Sequence, residues 1–135
     1  MKYWLLKTEP GTYSWADLVR KKRDRWDGIR NHQARNNLAA MSVGDSALIY
    51  HSGDDKSVMG LANVSKAAYP EPGADDPRWL AVDVEAVRRL ERPVTLAEMK
   101  KDPKLADMAL LKQSRLSVVP LTKAEYDTIV RAAKR

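Results

Sequence analysis

Between Asp45 and Leu90 the chain passes through three β-type segments with only turn chemistry between them. Residues 45–51 (DSALIYH) lead through 52–57 (SGDDKS) to 58–69 (VMGLANVSKAAY). The proline-rich 71–77 (EPGADDP) then gives way to 79–90, where Leu80, Val82 and Val84 alternate with Ala81, Asp83 and Glu85. Connections this short cannot hold the crossover that a parallel pair requires, so the three segments form an antiparallel meander. The second segment carries an internal Gly60.

Around the meander the signals are mixed. Residues 3–8 are β-prone and are stopped by Pro10 and Gly11. Ser14 with Asp17 three positions on marks a helix start, the helix running to about Lys22. The run RKKRDR (20–25) reads as a solvated basic face, whose functional alternative is salt-dependent affinity for a phosphate backbone without sequence information. A second helix starts after Asn31 as N-cap and buries Ala34, Leu38 and Met41 on one face before ending near Val43 and Gly44. Thr95 with Glu98 and Thr122 with Glu125 are capping boxes, with Val94 against Met99 and Leu121 against Tyr126 as hydrophobic staples. Between them, 103–111 reads as a short helix and 115–120 as a last strand. The expected architecture is α+β, a curved, mostly antiparallel β-barrel of five to six strands with short helices at the connections, in one domain over 1–135.

Several classes of chemistry are excluded. The chain has no GxxxxGK, GxGxxG or HExxH signature, and its two histidines, His32 and His51, do not form a metal-ligand cluster. His51 and Ser52 are neighbours near Asp54 and Asp55, but adjacent strand residues point to opposite faces, so no nucleophile–base pair is expected there. Neither catalysis nor a metal or cofactor is expected. No apolar run reaches the roughly 20 residues of a membrane helix. Lys7 and Glu9 interrupt the N-terminal apolar run before a signal-peptide core can form. The absence of cysteine fits a reducing cytoplasm.

Charge is distributed unevenly. Residues 1–40 hold nine Lys/Arg against four Asp/Glu, residues 41–85 three against eight, and residues 86–135 twelve against six. Two basic segments flanking an acidic one make a basic face if they meet in the fold, and such a face attracts phosphate backbones.

The stretch 26–38 (WDGIRNHQARNNL) concentrates one tryptophan, two arginines, three asparagines, a glutamine and a histidine. Together with YWLLKTEP (3–10), YSWADL (13–18), YHS (50–52), YPEP (69–72) and RLSVVPLT (115–122), in this order and spacing, it resembles the EVE domain family over nearly the whole chain. In the family Asp is common at the third position of YPEP, where this chain has Glu71, a change that keeps the charge. The resemblance implies a PUA-like fold related to readers of modified nucleotides such as the YTH domains, and a small single-domain binding protein rather than an enzyme.

A base taken from its stack costs a few kcal/mol, which a pocket recovers by stacking and by pairing the base edge with polar groups. Trp26 is the candidate platform, and Asn31, Gln33, Asn36 and Asn37 carry both donor and acceptor. Of the two adjacent helical asparagines, Asn36 is favoured for the site. Arg30 and Arg35 would hold phosphate or stack on a base. The resemblance places Tyr50, His51 and Ser52 beside this segment, and the strand ends bring in Lys7, Glu9, Pro10, Arg115 and Ser117. Plain alternatives stand beside these roles: Trp26 and Tyr50 as core, Asn31 as a cap only, Ser117 as an ordinary strand serine. The expected function is a non-catalytic reader that admits a single base, unmodified or modified, of DNA or RNA. A sensor of a free nucleoside or an anionic metabolite in the same pocket is one alternative, and an enzyme acting on a nucleotide, with His51 or Glu9 as its acid or base, is the other.

Overall fold

The structure, a computed structural model, describes residues 1–135. Six strands, β1 (Tyr3–Thr8), β2 (Arg23–Trp26), β3 (Ser46–His51), β4 (Ser57–Pro70), β5 (Leu80–Thr95) and β6 (Val118–Leu121), form one mixed sheet in the order β2-β5-β4-β3-β1-β6. Helices α1 (Trp15–Lys21), α2 (His32–Ala39), α3 (Leu96–Lys101), α4 (Ala109–Lys112) and α5 (Lys123–Ala132) occupy the connections. No helix is long and apolar enough to cross a membrane.

The meander is present as β3–β4–β5, antiparallel throughout. Register shifts along β4–β5 bend these long strands, as bulges do. β1 pairs in parallel with β3, and α1, β2 and α2 supply the long crossover that such a pair needs. β6 runs antiparallel to β1 on its other side.

The expected barrel is not closed, because β2 and β6 stand at opposite ends of the sheet and share no ladder. Helix α2 fills the gap between them, in contact with β4, β5 and β6. Its Asn37 Nδ2 donates to the Val118 carbonyl at 2.8 Å, so a side chain meets β6 where a closing strand would have been.

Local sequence explains most boundaries. Ser14, Thr95 and Thr122 each accept from the third helical amide while the Asp or Glu there bonds back to the cap. Such a cap contributes about 1 kcal/mol. Asn31 Oδ1 accepts from Ala34 N–H, and Ala34, Leu38 and Met41 are buried as their spacing requires. Gly60 is a close approach: a Cβ there would lie 2.4 Å from the Trp15 ring.

Three expectations are corrected. Part of the basic run is a strand, since Arg23–Trp26 pairs with β5 and Trp26 turns inward. The expected helix over 103–111 is broken into a 3-10 turn, Pro103–Leu105, and α4. Asp102 starts the first by accepting from Lys104 N–H. The last strand begins only at Val118, because Leu116 N–H turns back to the Gln113 carbonyl.

Candidate functional site

A cleft of about 1370 Å³ opens beside β2. One wall carries Trp26, Ile29 and Asn31, and the other carries Lys7, Thr8, Glu9 and Ser117. Tyr13 lies between them, and Arg23, Arg25, Lys66, Tyr69 and Asp83 extend the cleft along β2, β4 and β5. Six Lys/Arg line it (Lys7, Lys21, Arg23, Arg25, Arg30, Lys66) against four carboxylates (Glu9, Asp24, Asp27, Asp83), an excess of two positive charges.

Strand geometry sorts these side chains. On β2, Asp24 and Trp26 share the inner face while Arg23 and Arg25 stay exposed on the other. Tyr13 joins the inner pair: its ring meets the Trp26 ring edge-on at 5.9 Å, and its hydroxyl donates to Asp24 Oδ2 at 2.6 Å. Burial and this bond to a carboxylate raise the Tyr13 pKa, so the phenol stays protonated as a donor. Burial works against ionisation of Asp24, but bonds from Tyr13, the Arg25 amide and Lys21 outweigh it and hold its pKa low.

Trp26 is only 6% exposed, so it offers the cleft little of its ring face and is not the open stacking platform expected. Its edge matters instead. The indole N–H makes no hydrogen bond inside the protein, and Ser65 Oγ is the one fully buried side-chain polar atom without a partner. The Trp26 N–H is therefore not sealed from solvent, and the Trp26 side chain is among those that line the cleft. A donor on a rigid, mostly buried ring is pre-positioned for an acceptor on a ligand.

On the opposite wall, Glu9 Oε1 accepts from Gly11 N–H at 3.0 Å. A Cβ at Gly53, whose φ is +72°, would come within 2.6 Å of Oε2, so glycine there makes room for this carboxylate. Burial lowers the Lys7 pKa, and its ammonium donates to the Ser114 carbonyl at 2.7 Å. Lys7 N–H bonds the Ser117 carbonyl at 2.9 Å, which brings Ser117 to the cleft even though it lies outside β6.

Of the residues singled out from sequence, Lys7, Glu9, Trp26, Arg30, Asn31 and Ser117 come together here. The others do not line the cleft. Tyr50 is buried beneath Lys7, whose Nζ is 6.0 Å from its ring. His51 is structural: Nε2 accepts from Trp15 N–H at 2.9 Å and Nδ1 faces Asp55 at 2.9 Å, which occupies both nitrogens. Ser52 bonds the Thr8 carbonyl. Arg35 donates to the Arg78 carbonyl at 2.6 Å, just after the proline-rich loop, and to Asn36 Oδ1 at 2.9 Å, so Arg35 holds the end of the loop and Asn36 braces Arg35. Pro10 and exposed Arg115 stand outside the lining. Arg30 does line the cleft, but its guanidinium is committed to Glu71, at 2.6 and 3.1 Å. Glu71 also accepts from Gly28 N–H at 2.6 Å.

Tyr13, Lys66, Tyr69 and Asp83 were not anticipated, whereas Arg23 and Arg25 come from the basic run 20–25. The signal for the arginines was present in RDRW, where charged residues alternate with inward-facing ones next to a tryptophan. No group of three or more His, Asp or Glu side chains is placed to hold a metal ion.

The sequence matches the EVE domain family over residues 2–132. Mouse thymocyte nuclear protein 1 is 36% identical over 162 aligned residues, covering 95% of this chain and 72% of that protein. A Rhodopseudomonas palustris protein solved by NMR superposes with a TM-score of 0.94 at 42% identity, covering 99% of this chain and 94% of that one. Human THYN1, solved in complex with DNA containing 5-methylcytosine, superposes with a TM-score of 0.90 at 34% identity, covering 100% and 99%. With its motifs in order, its six-stranded sheet superposing on these structures and the match running nearly end to end, the chain belongs to the EVE domain family.

Proposed function

We propose that this chain is a non-catalytic reader that binds nucleic acid and takes one base, a modified base such as 5-methylcytosine included, into the cleft beside β2. The observation that carries the proposal is that Trp26, a nearly buried residue of the cleft lining, keeps an indole N–H without a protein partner. The human relative crystallised with 5-methylcytosine DNA supports the ligand class.

The division of labour follows from the lining. Trp26 N–H, the Asn31 amide, the Ser117 hydroxyl and the Glu9 carboxylate present donors and acceptors to a base edge. The Tyr13 ring, half-buried, offers an aromatic contact of the kind worth roughly 1–3 kcal/mol per base. Arg23, Arg25 and Lys66, farther along the cleft, take phosphates and add affinity without sequence information. Tyr50, His51, Ser52, Arg35 and Asn36 act from behind, by fixing the strand ends and the loop that shape the walls. His51, with both nitrogens occupied, has no free site for general-base work.

Fluorescence anisotropy with labelled oligonucleotides carrying cytosine or 5-methylcytosine tests this. Binding should weaken with salt, the log–log slope gaining roughly 0.9 per phosphate contact on duplex and losing about that much in Arg25→Ala. Free 5-methyldeoxycytidine bound tightly with no salt dependence, while oligonucleotides fail to bind, would convert the reader into a small-molecule sensor.

A further inference from the structure

The two basic segments of the chain do meet, but away from the cleft. Arg20 and Lys22 from the first face Arg88 and Arg89 from the last across a groove of about 570 Å³ between α1 and β5. Its floor is aliphatic: Ala16, Val19, Ala86 and Val87. Val19 and Val87 are 46% and 53% exposed, two of the four exposed large apolar side chains in the chain. No carboxylate lines the groove. Arg20 is paired with Asp17 and Arg88 with Glu91, which leaves Lys22 and Arg89 without an ion-pair partner.

Two backbone and side-chain features make this more than a charged patch. Strand β2 begins with Arg23 opposite Glu85, and the Ala86 N–H is taken by the Lys22 carbonyl at 2.8 Å. Beyond that point β5 pairs only with β4, through Leu61↔Arg88 and Gly60↔Arg89, so its other edge is open along the groove. Trp15, 5% exposed, lines the groove, and its indole N–H has no protein partner yet is not sealed from solvent.

We propose that this groove is a docking site for an extended acidic segment of a partner protein, added as a strand to the open edge of β5. Main-chain bonds supply affinity in such strand addition, and pockets for alternate side chains supply specificity. Here aliphatic side chains of the segment rest on Val19 and Val87, and its carboxylates meet Lys22 and Arg89. A nucleic acid would find the cations but no ring face to stack on, because the Trp15 face is buried against Gly60. A second copy of this chain is disfavoured, because the same cations that line one edge would repel those on another.

The test uses the whole chain, 15N-labelled, with a capped heptapeptide alternating Asp or Glu with Val, its Lys–Val counterpart, and oligo-dT. The acidic peptide should shift the amides of residues 87–89 and the Trp15 indole saturably, with the Trp26 indole unmoved. Lys22→Glu and Arg89→Glu should abolish saturation while leaving the rest of the spectrum, and hence the fold, intact. The proposal is overturned if the acidic peptide leaves these signals in place at millimolar concentration, if the basic peptide shifts them equally, or if only oligo-dT moves them. None of these outcomes depends on whether the cleft binds a base.

Discussion

Replacing Trp26 by Phe separates the indole N–H from the ring that carries it. In the folded chain this N–H bonds no protein group, so its removal leaves no buried acceptor unpaired. The stability cost is then one of volume alone. It falls between the about 1 kcal/mol of a single methylene deletion and the 3–5 kcal/mol of truncating a buried aromatic ring to alanine. Within a native stability of about 5–15 kcal/mol, the variant folds. Binding responds differently, because a base acceptor loses its donor. A hydrogen bond contributes a net 0.5–1.5 kcal/mol, which is roughly a two- to twelvefold weaker Kd. Urea denaturation gives the first quantity and anisotropy with a 5-methylcytosine oligonucleotide the second. Should Trp26→Phe bind as tightly as the parent, with the urea midpoint lowered as expected, the indole is only core and the proposed contact is refuted.

Two further outcomes follow from the fold. Gly60→Ala should cost about 1–3 kcal/mol, because its Cβ would meet the buried Trp15 ring, which has no flexible end to yield; an unchanged urea midpoint would contradict this. Asp45 is buried and accepts from the Lys2 and Ser42 amides and the Trp4 indole, at 3.1, 2.9 and 3.1 Å. Burial pushes its pKa up, but these three donors outweigh burial and hold it below the usual range. Its folded pKa being depressed, the stability it contributes is present above the unfolded value of about 3.9 and is lost as pH falls through the folded value. Asp45→Asn should therefore destabilise by about 3 kcal/mol at neutral pH, and the gap to the parent should narrow below pH of about 4. A gap independent of pH would show that the carboxylate charge is not what matters.

Elements defined by local chemistry were legible in the sequence. Ser14, Thr95 and Thr122 start helices because their partners sit three residues away, and the β3–β4–β5 meander follows from turn residues between alternating runs. What depends on distant partners was not. β2 is four residues long and mostly charged, so only its pairing with β5 makes it a strand. Barrel closure failed for a similar reason: α2, placed by the packing of Ala34 and Leu38, stands where β2 and β6 would have met. The motif stretch lines the cleft through Trp26, Arg30 and Asn31, but amide and guanidinium groups in it also serve the fold. Asn31 caps, Arg30 binds Glu71, and Arg35 holds the loop. Residue type announced hydrogen-bonding capacity; only the fold decides which capacity is left over. Trp26 shows this most clearly, since nothing in its sequence neighbourhood says that its ring is buried and its N–H is not.

The most direct measurement is therefore the indole 15N–1H spectrum of the four tryptophans during titration with a 5-methylcytosine oligonucleotide. Trp4, whose N–H is held by Asp45 at 3.1 Å, should stay in place. The Trp26 resonance should move saturably, with the same Kd as anisotropy reports. Saturable oligonucleotide binding that leaves the Trp26 resonance unmoved would contradict a base seated against that edge of the cleft.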